Sequence, residues 1–350
     1  MTTLAELETP VAIVDLDRLA SNIIKLQHYL DEHRIANWPH IKTHKIPEIA
    51  HMQLAAGAAG ITSQKLGEAA VMVQAGIRHI FMPYNLIGEA KLNRLMRLLH
   101  RAHIRVTADS AVVVDGLAAA VAASHQQLTV LVECDTGGQR CGVQTPHEAA
   151  ALARRIAAAP GLHFGGLMTY PIDERLDPFV AEVRTLLAAD GIGIDQVTAG
   201  STARMWQAHQ HREVTEYRAG MYIYGDRATV ARGAMTLEEC SFHVIATVVS
   251  RPTATRGILD AGSKVLSSDT LGQDGHGLIL EYPEARIYGL SEEHGHTDFS
   301  ACDRVPAIGE RVTILPNHCC VVTNLFNQIV GVRNGSVELV WPVAARGLVT

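Results

Sequence analysis

The chain carries no excess of positive charge: 30 lysines and arginines face 36 aspartates and glutamates, for a formal net charge of −6. Its isoelectric point is near 6.3. The electrostatic term that drives nucleic-acid or anionic-membrane binding is therefore missing, and a small-molecule partner is expected. Long apolar runs are absent too. The most apolar stretches, at 128–132 and 244–249, fall far short of the roughly 20 residues needed to cross a bilayer. Cysteine is scarce: Cys134, Cys141, Cys240, Cys302, Cys319 and Cys320 show no spacing of a small disulfide-rich scaffold, so reduced thiols are expected. The opening MTTLAELETPVAIVDLD places acidic residues where an export signal needs a basic segment followed by an apolar one, which points to the cytoplasm.

What is present is material for a large core. Of 350 residues, 47% are hydrophobic and 19% charged, and the mean hydropathy of +0.10 argues against extensive disorder. That length suits an α/β barrel of about 250 residues with a smaller partner domain. From about residue 10 to 235, short β-rich runs alternate with alanine- and leucine-rich helical patterns, the signature of βαβ units and a parallel sheet. Candidate strands lie at 11–15, 37–41, 60–62, 79–82, 105–108, 128–133, 163–167 and 196–198. Eight such units close a (β/α)8 TIM-type barrel. An open doubly wound sheet shows the same alternation, but no Gly-x-Gly-x-x-Gly turn opens the first helix. Beyond about residue 238 the texture changes to FHVIATVVSRP, GILDAG, RVTILP and VELVWP, which reads as an antiparallel β domain. The expected division is a barrel over 1–238 and a C-terminal antiparallel β domain over 239–350, the N-terminal strand being free to pair with the latter.

Four segments carry chemistry. In Trp38-Pro39-His40-Ile41-Lys42-Thr43-His44-Lys45, a strand delivers a lysine near its C-terminal end, the face on which barrel enzymes work. Desolvation and nearby positive charge favour the neutral amine that attacks an aldehyde; a surface basic cluster has the same spacing. In VECDTGGQRCGV a Gly-rich turn sets Arg140 over that face, where its fork suits a phenolate or carboxylate, although glycines of this kind often form only a turn. Ala199-Gly200-Ser201-Thr202 and Arg218-Ala219-Gly220-Met221-Tyr222 follow the last strands, where barrels commonly cradle phosphate; a helix cap at Ser201 and an ordinary turn at Gly220 fit equally. In Pro316-Asn317-His318-Cys319-Cys320, an extended backbone would turn His318 and Cys320 to one side, able to share a soft divalent ion at an open site. A His and two Cys near a strand are also often merely packed.

Taken together and in order, PHIKTHK, DTGGQRCGV, TAGST, TEYRAGMYIYGD, DAGSKVLSSD, LSEEHGH and PNHCC resemble fold-type III pyridoxal 5'-phosphate (PLP) enzymes, the alanine-racemase-like barrels. Within them the chain is similar to the D-threonine aldolase and D-serine dehydratase group over nearly its whole length. The resemblance implies that Lys42 is the PLP lysine and that Arg140 contacts the cofactor's phenolic oxygen. It puts Gly200, Ser201, Thr202, Gly220 and Tyr222 in the phosphate loops and Tyr170 beside the ring. His318 and Cys320 match the two protein ligands of a divalent metal, with zinc favoured on softness and manganese or magnesium accepted by open sites. A homodimer is implied, each β domain helping to close the other subunit's site.

The activity implied is retro-aldol cleavage of D-configured 3-hydroxy-α-amino acids to glycine and an aldehyde. The alternative is dehydration of D-serine or D-3-hydroxyaspartate by β-elimination to a keto acid and ammonia. His-x-Cys belongs with the dehydratase branch, whereas VVTNLF after it has the aldolase texture; the reading leans to the aldolase. His40, His44 and His294 stand as candidates for the base that takes the β-hydroxyl proton. An amino-acid racemase, a non-catalytic PLP-binding barrel and a PLP-free metal hydrolase are the remaining classes. The non-catalytic barrels lack a β domain, so residues 240–350 favour an enzyme.

Overall fold

A computed structural model describes residues 3–350. The chain forms two compact units, each assembled from separate stretches. One comprises Leu26–Lys42, Ile49–Gly220 and Leu348–Thr350; the other comprises the described part of Met1–Lys25 with Thr43–Glu48 and Met221–Gly347.

The strand series opens with β1 (Val11–Asp15), in the second unit. The first unit holds β2 (Ala36–Asn37), β3 (Ile61–Thr62), β4 (His79–Met82), β5 (His103–Ala108), β6 (Leu128–Cys134), β7 (Leu162–Thr169), β8 (Gln196–Ala199) and β9 (Glu216–Tyr217). All eight are parallel, in the order β2-β9-β8-β7-β6-β5-β4-β3. Bonds from Ala59 N–H to Asn37 O (2.9 Å) and Thr62 N–H to Pro39 O (2.8 Å) bring the two edges together, and His40 bridges Thr62 in parallel. The result is the expected TIM-type ring.

Alanine-rich segments form the helices between strands, because alanine loses no side-chain entropy in a helix. Pro146–Ala158 shows how one is started: Thr145 Oγ1 accepts the Glu148 N–H at 3.2 Å, and Glu148 Oε2 accepts the Thr145 N–H at 3.0 Å, with Pro146 at the first position. It buries Ala149, Ala150, Leu152, Ala153 and Ile156. Trp38, Phe81, Leu131 and Met168 cluster together in the core of the same unit. Arg105, near the start of β5, is held by Glu216 at 2.9 and 3.0 Å and lies 4.0 Å from the Trp38 ring. A buried charge without such a partner would cost several kcal/mol. Side chains thus fill the middle of the ring, which leaves the C-terminal strand ends for chemistry.

Two expectations for the ring are corrected. The run at 11–15 is not one of its strands: β1 lies between β10 (Phe242–Ser250) and β16 (Gln328–Arg333) in the second unit's sheet. Ala12, Ile13 and Val14 are all buried, and a strand with no polar side reads alike in any sheet buried on both faces. The eighth member of the ring is β9, whose two residues are too few to show a period.

The second unit adds β11 (Arg256–Leu259), β12 (Leu278–Ile279), β13 (Arg286–Leu290), β14 (Gly295–Asp298), β15 (Arg311–Leu315) and β17 (Ser336–Pro342). Its main order is β13-β14-β11-β10-β1-β16-β17, with β15 on β10 and β12 on β15. Pairing is antiparallel except between β1 and β16. Ile13, Ile245, Val330 and Val332 form one of its cores. Among the described residues no helix is long and apolar enough to cross a membrane.

His243, in β10, is only 5% exposed, and its Nε2 has no hydrogen-bond partner among the described residues. Burial, with Arg18 adding to it, pushes its pKa from 6.5 down to about 4. An unfolded chain takes up this proton near the ordinary value while the folded chain refuses it until about 4. Stability from this residue is therefore complete above about 6.5 and is lost as pH falls towards 4, by roughly 3 kcal/mol at most. Urea unfolding at several pH values should show that loss, and His243→Leu should remove this part of the slope; an unaltered slope would contradict the assignment.

Candidate active site

In a parallel ring the C-terminal strand ends share one face, and most of the chemistry-bearing residues of the first unit follow those ends. After β2 the chain enters the 3-10 turn Ile41–Thr43, which presents Lys42, half-buried. His40 Nδ1 accepts the Lys42 backbone N–H at 3.3 Å, and His40 Nε2 lies 2.9 Å from Gln64 Oε1. An accepting Nδ1 puts the proton on Nε2, so this imidazole is neutral and engaged at both nitrogens. His40 clamps the lysine's backbone and is not a free base. His44 Nδ1 is likewise occupied, by the Ile46 N–H at 3.1 Å. His294 is exposed in the turn between β13 and β14.

Lys42 Nζ lies 5.9 Å from the centre of the Tyr170 ring, and the Arg140 guanidinium 4.8 Å from the same ring. Tyr170 follows β7 and is 37% exposed. Arg140 follows β6 in a turn stapled by Asp135 Oδ1, which accepts the Gly137 N–H at 2.9 Å and the Gln139 N–H at 3.1 Å. A Cβ at Gly138 would come within 2.5 Å of the Tyr170 carbonyl. Only glycine lets the turn lie this close.

Behind the arginine sits Glu133, at the buried end of β6, its Oε1 3.7 Å from Arg140 Nη2. Burial pushes this carboxyl's pKa up, and Arg140 and Arg218 draw it back. Arg218 is buried and donates to Thr198 Oγ1 at 3.0 Å and to the Thr169 carbonyl at 2.7 Å. Burial brings it down to about 10, which leaves it cationic at neutral pH. Sequence reasoning gave neither Glu133 nor Arg218 a role. Both stand inside the quoted motifs, and the available signal was a charge where a strand end should be apolar.

The loop after β8 is tightly fixed. Ser201 adopts φ 153 and ψ 128, a region that favours glycine and is held only where the surroundings over-determine it. Tyr217 Oη donates to the Ser201 carbonyl at 2.6 Å, the Gly220 N–H to Thr202 Oγ1 at 3.4 Å, and the Ile172 N–H to the Gly200 carbonyl at 3.0 Å. A Cβ at Gly200 would meet the Arg218 carbonyl at 2.9 Å. Lys42, Arg140, Tyr170, Gly200, Ser201, Thr202 and Gly220 all belong to this one unit. Tyr222 belongs to the other, buried in the 3-10 turn Met221–Ile223.

In the second unit the backbone at the predicted ligand pair differs from expectation. His318 alone is extended (φ −140, ψ 97) and caps the helix Cys319–Leu325, so strand alternation is not what brings it to Cys320. The first turn of the helix does. His318 Nδ1 lies 2.7 Å from Asp269 Oδ2, and Cys320 Sγ lies 3.3 Å from Thr43 Oγ1. Burial alone would lower His318, but its bonds to Cys320 and Asp269 win and raise it to about 9. Cys320 is held well below the usual thiol range by a bond from Cys319 and by His318. Among the described residues no group of three or more His, Cys, Asp or Glu side chains could hold a metal ion; this pair supplies two donors.

The donors of the first unit suit a phosphorylated aromatic aldehyde: an amine, a half-exposed ring, a guanidinium, and a loop closed to any side chain at Gly200. The imidazole and thiolate of the second suit a soft divalent ion. Near them the buried Tyr224 hydroxyl has no hydrogen-bond partner among the described residues, and burial, with Cys319 and Cys320 adding to it, raises its pKa. The residues fit both groups.

A parallel barrel with such a lysine, joined to a mostly antiparallel domain, defines a fold-type III PLP enzyme. Residues 14–228 match the alanine racemase N-terminal domain model, and residues 241–332 match the putative serine dehydratase domain. The chain is 35% identical to a D-threonine aldolase of an Arthrobacter species, over 98% of this chain and 94% of that protein. It superimposes on the crystal structure of D-threonine aldolase from Filomicrobium marinum with a TM-score of 0.92 at 31% identity, covering 99% of this chain and 98% of that one. It also resembles a D-threo-3-hydroxyaspartate dehydratase solved as a cysteine-to-alanine mutant in the metal-free form, with a TM-score of 0.85 at 29% identity over 98% and 99% of the two chains. The protein belongs to this family of PLP-dependent lyases, the D-threonine aldolases and D-3-hydroxyaspartate dehydratases.

Proposed function

We propose that the protein cleaves D-configured 3-hydroxy-α-amino acids to glycine and an aldehyde, with PLP and a divalent metal, zinc by preference and manganese or magnesium as substitutes, working as a homodimer. The observation that carries the reading is the meeting of Lys42, Arg140 and Tyr170 on the strand-end face, in a chain 35% identical end to end to a D-threonine aldolase.

Lys42 is read as the anchor for the cofactor's aldehyde and as the group that takes or returns a proton at the substrate's Cα. Arg140 is read as the donor to the phenolic oxygen, kept in place by the charge of Glu133. Tyr170 flanks the ring. Gly200, Ser201, Thr202, Gly220 and Tyr222 are read as the phosphate site, where backbone N–H groups and hydroxyls hold the anion without a lysine. His318 and Cys320 are read as the metal ligands. Bound there, PLP supplies an electron sink for the pair left on Cα, and the metal supplies a Lewis acid for the substrate's hydroxyl. With His40 occupied at both nitrogens, the base for the β-hydroxyl proton is sought elsewhere.

One observation favours a second reading. The His-x-Cys pair accompanies elimination in the resemblance, and the metal-free form of the related dehydratase was obtained in a cysteine mutant. In that outcome Lys42 takes the Cα proton and the hydroxyl leaves, giving a keto acid and ammonia. Incubation with D-threonine, D-serine and D-3-hydroxyaspartate separates the two: glycine with an aldehyde supports the aldolase, ammonia with a keto acid supports the dehydratase, and turnover of none refutes both.

A further inference from the structure

We propose that Asp269 and Thr43 are positioning residues for the metal site: Asp269 fixes the tautomer and orientation of His318, and Thr43 steadies the sulfur of Cys320. The inference rests on the reading of His318 and Cys320 as ligands.

A carboxylate oxygen can only accept, so the 2.7 Å contact between Asp269 Oδ2 and His318 Nδ1 places a proton on Nδ1. The ring's other nitrogen, Nε2, is then the one left with a lone pair to offer an ion. His318 caps the helix whose first turn carries Cys320, so imidazole and sulfur stand two residues apart on one turn, each held by a neighbour of its own. A carboxylate on the far nitrogen also makes the imidazole a better donor.

Asp269 is itself built in. Its Oδ1 accepts the Leu271 N–H at 3.1 Å, and its own N–H reaches Ser267 Oγ at 3.0 Å. The flanking Ser267 and Leu271 both take left-handed backbone, φ 65 and φ 46, strained for residues with a Cβ. On the other side, Thr43 is fully buried, and its Oγ1 is within hydrogen-bond distance of Cys320 Sγ, at 3.3 Å. Thr43 immediately follows Lys42 in the chain, so the residue proposed to anchor the cofactor and one that holds the metal ligand share a peptide bond.

The test strips metal from the PLP-loaded protein with a chelator and titrates zinc back against a chromophoric competitor, for wild type, Asp269→Ala, Asp269→Asn, Thr43→Val and His318→Ala. His318→Ala should abolish the site. Asp269→Ala should weaken zinc about 10- to 100-fold and Thr43→Val by a smaller factor, both with unchanged PLP absorbance and melting temperature. Asp269→Asn keeps the shape, loses the charge, and should fall between wild type and alanine; it serves if the alanine variant does not fold. Wild-type zinc affinity in the Asp269 variants, with His318→Ala abolishing binding, overturns the positioning role while sparing the ligand assignment. Wild-type affinity in His318→Ala overturns both.

Discussion

Lys42→Ala should lower turnover by at least about 10³-fold, the scale of losing a nucleophile that also transfers protons. It should remove the absorbance of PLP bound through a lysine, and borohydride reduction should no longer leave a pyridoxyl group on the peptide that contains residue 42. Lys42→Arg should fare no better, since a guanidinium stays protonated and cannot attack an aldehyde. The fold should survive, because Lys42 is half-buried and the clamp from His40 reaches its backbone N–H, which alanine retains. In the wild type, an adduct mapped to Lys45 or Lys65 instead would end the assignment.

Removing either proposed metal ligand is the other large effect. His318→Ala and Cys320→Ala should each empty the metal site and cost about 10² to 10³ in kcat, the scale of losing a metal's electrostatic help. PLP absorbance should stay, because the residues proposed to hold the cofactor's aldehyde, ring and phenolic oxygen are all in the barrel unit. Metal content by atomic emission and the visible spectrum of the same sample decide the matter together. Full metal content in either variant would remove that residue as a ligand.

Much of the architecture was legible because β4 to β8 are apolar runs set between alanine-rich helices, a local pattern. What escaped was decided at a distance. Nothing in Val11–Asp15 itself says that its neighbours are Val330 and Ile245, and the two residues of β9 carry no pattern at all. The start of a helix at Cys319 was hidden because the residue before it is a histidine, and its cap shows no side-chain hydrogen bond. Candidate residues were named through motif order, while the groups that contact them were given no role: Asp269 lies 49 positions before His318, and Glu133 stands out only because Arg140 folds back over it.

The place of β1 has a bearing on how the chain comes off the ribosome. Ile13 lies opposite Val330, so β1 stays without its parallel neighbour until the residues after the ring have been made. The ring of β2 to β9 can close before then, since its partners are made in succession. The other sheet must wait for segments on both sides of the ring, and the apolar Val-Ala-Ile-Val stretch needs protection during that interval.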